Sequence, residues 1–103
     1  MGLTIELQNE QGSSIAPAID DPTNALGALL PSENDDSYQL LKYIDRYGST
    51  IFNGIQMKSL IQDLLRLESR AAGSPAAQIV QSIVMLAHKC DEGPHLYLNF
   101  IGD

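Results

Sequence analysis

The sequence has one cysteine, no tryptophan, two histidines and, over its first 41 residues, neither lysine nor arginine. Each shortage excludes something. With Cys90 alone no intrachain disulfide can form, which fits a reducing cytoplasm. At its place near a helix end Cys90 reads as a small apolar filler before it reads as a reactive thiol. There is no glycine-rich phosphate loop, no paired-cysteine motif, no His-Glu-x-x-His and no serine in a nucleophile-elbow context, so no catalytic residue is assigned and no cofactor is implied. The longest strongly apolar run, Ile83 to Leu86, is far short of the ~20 residues of a membrane span. Met1 to Thr4 lacks a basic start followed by an apolar core, and Glu6 stands where a myristoylation pattern needs Ser or Thr, so neither a secretory signal nor a lipid anchor is expected.

What is present is a globular composition, 44% hydrophobic and 18% charged, over 103 residues, which fits a single domain spanning residues 1–103. The net charge of −7 is concentrated. Glu6, Glu10, Asp20, Asp21, Glu33, Asp35 and Asp36 precede the first base, Lys42, and from there on six acids and six bases cancel. Such a surface repels nucleic-acid phosphates and anionic lipid and attracts a basic protein. An acidic face that serves only solubility is the plainer alternative.

The patterning predicts an α+β fold. Leu3, Ile5 and Leu7 alternate with Thr4, Glu6 and Gln8, the period of a half-buried strand. Asn9 to Gly12 reads as a turn, and Ser13 to Ile19 as a weaker returning strand that Pro17 confines to an edge. Asp20-Asp21-Pro22 reads as a helix start for Ala25, Leu26, Leu29 and Leu30, up to Pro31. A second short helix is expected through Tyr38, Leu40, Leu41 and Ile44, with acids before it, Lys42 and Arg46 towards its end, and Gly48 as its stop.

Asn53 and Gln56 have the spacing of a capping box, ahead of a long helix whose face is Met57, Leu60, Ile61, Leu64, Leu65 and Glu68. After Ala72-Gly73, Ser74-Pro75 opens another helix with the stripe Ala76, Ile79, Val80, Ile83, Val84, Ala87 and Cys90. So short a connection predicts an antiparallel helical hairpin. Gly93-Pro94 closes it, and Leu96, Leu98 and Phe100 then alternate with Tyr97, Asn99 and Ile101. Pairing this last strand with Leu3–Gln8 gives a small antiparallel sheet of N- and C-terminal strands, packed on the hairpin plus one or two shorter helices.

Two stretches are candidates for function. His88, Cys90, Asp91, Glu92 and His95 are zinc-ligand types within eight residues, but a basic helix end followed by a turn is the better account of them, and Cys90 falls on the apolar stripe, away from His88. Tyr43 to Asn53 carries two tyrosines, a phenylalanine and the pair Asp45-Arg46, a composition found at binding hot spots. It can also be read as a core plug of Ile44, Ile51 and Phe52 with a turn at Tyr47-Gly48. On the binding reading the partner-contacting residues are Asp35, Asp36, Tyr43, Asp45, Arg46, Tyr47 and Asn53.

The run Tyr43 to Gln56 and the closing His95 to Asp103 together resemble small uncharacterised bacterial proteins. In those, a Tyr-Ile-Asp…Tyr-Gly…Phe-Asn…Gln stretch precedes two helices and the chain ends Leu-x-Phe-x-Gly-Asp. The resemblance implies a bacterial single-domain protein and carries over no catalytic residue. Three readings follow. The favoured one is a non-enzymatic binding protein for a basic partner, an immunity or inhibitor protein being one form. The others are a small metal-binding or enzymatic domain using His88 and His95, and a self-associating regulatory subunit, a homodimer, that covers Ile55, Leu67 and Leu86.

Overall fold

Strand alternation puts Leu3, Ile5 and Leu7 on one side of an extended chain, and that side is buried. The computed structural model describes residues 2–102, so the terminal Asp103 lies outside the described residues. In it, strand β1 (Thr4–Gln8) pairs antiparallel with the closing strand β4 (Tyr97–Ile101), Thr4 opposite Ile101 and Gln8 opposite Tyr97. The two ends of the chain are thus joined, as the alternation predicts, and they form the middle of the sheet. Strand β2 (Ile19–Asp20) flanks β1 and strand β3 (Ser49–Asn53) flanks β4, giving the antiparallel order β2-β1-β4-β3. The weak strand expected from Ser13 shrinks to a bridge of Ser14 to Gln8 and the two residues of β2, since Pro17 cannot donate to a ladder.

The helical hairpin is present as α1 (Met57–Ala71) and α2 (Ala76–Glu92). Gly73, at φ +81°, takes the left-handed conformation that lets the chain reverse between them. The capping box forms: Asn53 Oδ1 accepts the Gln56 N–H at 3.1 Å, and the Asn53 N–H donates to Gln56 Oε1 at 2.9 Å. It opens a 3-10 turn, Gly54–Gln56, that runs into α1. Ser74 does not cap α2 through its hydroxyl, which is buried without a hydrogen-bond partner among the described residues; the Ala77 N–H goes instead to the Ser74 carbonyl at 3.2 Å.

The buried faces are rotated from those expected. On α1 they are Met57, Leu60, Ile61, Asp63, Leu64, Leu67 and Ala71, while Leu65 turns outward. On α2, Leu86 is buried alongside Val80, Ile83, Ala87 and Cys90. The sheet lies along one side of the hairpin and the 25–44 segment reaches the other, so the core contacts more of α1 than one helical stripe. Of the three apolar residues expected to stay outside the core, only Ile55 does, and it is 92% exposed.

The two shorter helices are 3-10 turns only, Gly27–Leu29 and Leu41–Tyr43. Asn24 sits at φ +57° and breaks any α-helical path from Pro22. Asp21, 1% exposed, gathers the N–H groups of Ala25, Leu26 and Gly27 at 2.9 to 3.2 Å, so the expected acidic cap exists but closes a loop. In the second segment Asp35 captures the Ser37 N–H, and the N–H groups of Gln39, Leu40 and Leu41 are held by Asp63 of α1. An amide held by a side chain from another element cannot also bond to the carbonyl four residues earlier, so no α-helix runs through Gln39 to Leu41 and winding is confined to the turn that follows. Between the layers, Phe52 and Phe100 meet edge-to-face, 5.7 Å between centroids, an arrangement worth roughly 0.5–1.5 kcal/mol beyond its burial.

Candidate partner-binding surface

The segment from Tyr38 to Asn53 is fixed at both ends. At its root, Asp63 (3% exposed) accepts the N–H groups of Gln39 at 3.0 and 3.1 Å, Leu40 at 2.6 Å and Leu41 at 3.0 Å. Three backbone donors converging on one buried carboxylate make a rigid, charge-assisted anchor. Tyr38 is buried beside it and its hydroxyl accepts from Arg70 at 3.2 Å. Further along, Arg46 Nη2 donates to the Leu30 carbonyl at 3.2 Å, and the Asp45 N–H to Thr50 Oγ1 at 2.9 Å. At the far end Gly102 donates to the Gly48 carbonyl at 2.7 Å and lies against the Arg46–Tyr47 backbone, where a Cβ would collide with the Arg46 carbonyl. That close approach is a structural reason for the glycine in the closing Gly-Asp pair.

The anchored segment displays its aromatics outward. Tyr43 is 62% and Tyr47 84% exposed, and with Asp45 and Arg46 they line a cleft of about 660 Å³ whose other wall is Leu30 to Glu33. Lys42 lies 5.3 Å from the Tyr43 ring centre and pairs with Asp36 at 3.3 Å, which attaches Asp36 to the same region. Asp35 turns away: it accepts from Ser37 at 2.6 Å and pairs with Arg70 at 3.7 Å. The Ser37 hydroxyl and N–H, and then Arg70, hold its carboxyl below the usual carboxylate range. Asn53 serves as the cap described above and lines a second cleft, of about 410 Å³, at the other end of β3 with Ile55, Asp91, His95 and Tyr97. The seven sequence-predicted residues thus divide into a group of five around the first cleft, one residue beside Arg70 and one at the far end of β3.

Between the two clefts runs β3, the outermost strand on its side. The bond between Gly102 and Gly48 sets the parity of the β3–β4 ladder: Thr50 and Phe52 direct their backbone groups to β4, and Ser49, Ile51 and Asn53 direct theirs outward. The Asn53 N–H is taken by Gln56, which leaves the edge groups of Ser49 and Ile51 open among the described residues. Ile51 is 55% exposed and stands on the outer sheet face in a row with Asn99 and Glu6. Asn99 is only 7% exposed, and its Oδ1 has no hydrogen-bond partner among the described residues. This outer face carries Glu6 and Asp20 and no base.

Ile51, Ile55 and Asn99 are not among the seven partner-contacting residues read from the sequence; Ile55 is expected there outside the core, but Ile51, read there as part of a core plug, is exposed instead, because it alternates with the buried Phe52. The clue to Ile51 is present, because Thr50-Ile51-Phe52 alternates, but three residues between turn signals do not define a strand. Among the described residues no three His, Cys, Asp or Glu side chains come together as a metal site. Cys90 is fully buried, with its thiol pushed up to about 11 by burial and, secondarily, by Asp91. His88 lines a shallow cleft of about 400 Å³ with Lys58 and Asp91. His95 stands apart from it, 3.9 Å from Glu10 and lining the cleft beyond β3. Among the described residues, no helix is long and apolar enough to cross a membrane. Compared with known proteins, the chain matches no family model, no curated protein and no solved structure.

Proposed function

We propose that this chain is a non-enzymatic protein-binding domain of the bacterial cytoplasm that engages a basic partner, with an inhibitor or immunity protein as its most concrete form. The observation that carries the reading is the concentration of exposed Tyr43, Tyr47, Ile51 and Ile55 within one short segment of chain, whereas the other exposed large apolar side chains of the described residues, Ile15, Leu65 and Met85, lie far apart in sequence. Amphipathic rings held on an anchored segment supply contact area at low cost in side-chain entropy. The surrounding charge favours a cationic partner: the net charge is −7, and in or beside the first cleft Glu33, Asp36 and Asp45 outnumber Lys42 and Arg46. Opposite charge of this kind acts chiefly on the association rate.

The test is affinity capture from the source cell, run in parallel with wild type and a Tyr43→Ala/Tyr47→Ala variant. A basic protein recovered by wild type, weakened at least tenfold by the double substitution and released by moderate salt, supports the reading. In stopped-flow binding to that protein, Asp35→Asn/Asp36→Asn slows association and flattens its salt dependence. Equal capture by both forms, or association indifferent to salt and to the two aspartates, overturns it.

A further inference from the structure

We infer that the partner is bound by strand addition: an extended, basic segment of another protein joins the sheet along β3 as a fifth strand. The inference rests on the protein-binding reading and specifies its mode of contact. Five residues of β3 span ~17 Å, and along them the backbone groups of Ser49 and Ile51 are left unspent by the ladder to β4. Edge strands are ordinarily protected by a charge, a proline, a bulge or a covering loop. Ser49–Asn53 contains neither charge nor proline and is flanked by Tyr47 and Ile55, the two most exposed large apolar side chains of the described residues. The two clefts lie at its ends, where the flanks of an added strand would come to rest.

The chemistry of the occupant follows from the register. A residue added opposite Ile51 falls on the row Ile51–Asn99–Glu6, whose members are one strand spacing, ~4.8 Å, apart. A lysine or arginine there lays its apolar stem over Ile51 and carries its cationic head towards the orphaned Asn99 Oδ1 and the Glu6 carboxylate. Residues two positions to either side fall opposite Ser49 and Asn53, diagonal to the exposed Tyr47 and Ile55 that flank the strand, and are apolar. Charge also argues against a second copy of this chain as occupant, since two molecules of −7 would be brought edge to edge.

The probe is a phage-displayed library of random ten-residue peptides, selected against the full chain. Selected peptides are expected to carry Lys or Arg between apolar residues at alternate positions. A synthetic copy of one should shift the Ser49 and Ile51 amides in 15N-edited NMR spectra and slow their hydrogen exchange at least tenfold. Ile51→Lys, on the solvent face, should weaken binding at least tenfold with an unchanged melting temperature. N-methylation of the peptide at alternate amides should abolish binding in one phase and not in the other, a result independent of any protein variant. Selection of no peptide overturns the inference, as does a binder that maps to the Leu30–Glu33 wall or tolerates N-methylation in both phases. In the latter case the protein-binding reading stands and strand addition fails. A wild-type dimer in light scattering that Ile51→Lys dissociates names a second copy as occupant and equally overturns it.

Discussion

Replacing Asp63 by alanine should be among the most destabilising single changes available on the α1 surface. The carboxylate is 3% exposed and accepts from three consecutive backbone N–H groups of a segment more than twenty residues earlier in the chain. Each buried donor left without an acceptor costs about 1–3 kcal/mol. Gln39 is exposed, so its amide recovers a hydrogen bond from water, and the charge falls mainly on Leu40 and Leu41. With the lost charge-assisted geometry this comes to about 3–4 kcal/mol, from a domain stability of about 5–15 kcal/mol. At ~4–5 °C per kcal/mol, the melting temperature falls by about 12–20 °C. Asp63→Asn retains one acceptor oxygen and should lose about half as much.

The measurement is urea unfolding followed by far-ultraviolet circular dichroism, with amide exchange on Gln39 to Leu41 read in parallel. Asp20→Ala is the control: its carboxylate is exposed and accepts from the Thr4 hydroxyl at 3.1 Å, so its loss should cost under about 0.5 kcal/mol. A loss below about 1 kcal/mol for Asp63→Ala, or one matched by Asp20→Ala, would refute the assignment of Asp63 as the anchor of this segment.

Deleting residues 98–103 removes most of β4, which holds β1 and β3 together, and should abolish cooperative thermal unfolding; a truncated protein that melts like the full chain would contradict the sheet order. Cys90 is fully buried with a folded-state pKa raised to about 11 from 9.0, so its neutral form is favoured by folding and its contribution is whole below the unfolded pKa and lost as pH rises through the folded one. The wild type should lose up to ~2–3 kcal/mol relative to Cys90→Ala between pH 9 and 11, measured by urea unfolding at each pH, and the native thiol should resist a disulfide reagent at pH 7. Asn99→Val, which removes the unpartnered buried oxygen, should stabilise the fold by ~1 kcal/mol in the same assay while weakening the strand-adding peptide.

The parts of this fold that could be read in advance are those in which local pattern and tertiary contact agree. β1 and β4 alternate cleanly and are buried on the side the alternation names. The hairpin and the Asn53–Gln56 capping box depend on spacings within a few residues. The two short helices fail because the deciding interactions are remote. The Asp63 carboxylate that holds Gln39 to Leu41 belongs to a helix where an aspartate looks like an ordinary solvated residue. β3 was hidden for a related reason: Ile51 faces solvent, so only Phe52 in that stretch carries the burial signal, and one large apolar residue has no period. For the site, the tyrosines and the Asp45-Arg46 pair could be found by composition, whereas the edge between the two clefts exists only once β4 has β3 beside it.

The same interactions that blocked helix formation are what make the surface usable. Had Tyr38 to Tyr47 wound into an α-helix, Tyr43 and Tyr47 would lie about one turn apart on a single helical face, and an amphipathic helix beside a core buries that face. Asp63 instead stops the chain at Leu41, and Arg46 ties the following turn to the Leu30 carbonyl. Gly102 then locks Gly48 to the end of the central strand. Each tyrosine is left outside the core, although the backbone beneath it is held from both sides. Such a segment displays large side chains without having to order itself on binding, which removes a cost that mobile loops carry. The edge of β3 begins immediately after it, so both features depend on Asp63 through one stretch of backbone. Asp63→Ala should therefore weaken partner binding even under conditions where the protein remains folded, although residue 63 is buried and can touch no partner. Affinity unchanged in folded Asp63→Ala would mean that the tyrosines bind as independent flexible groups, and that the anchor serves stability alone.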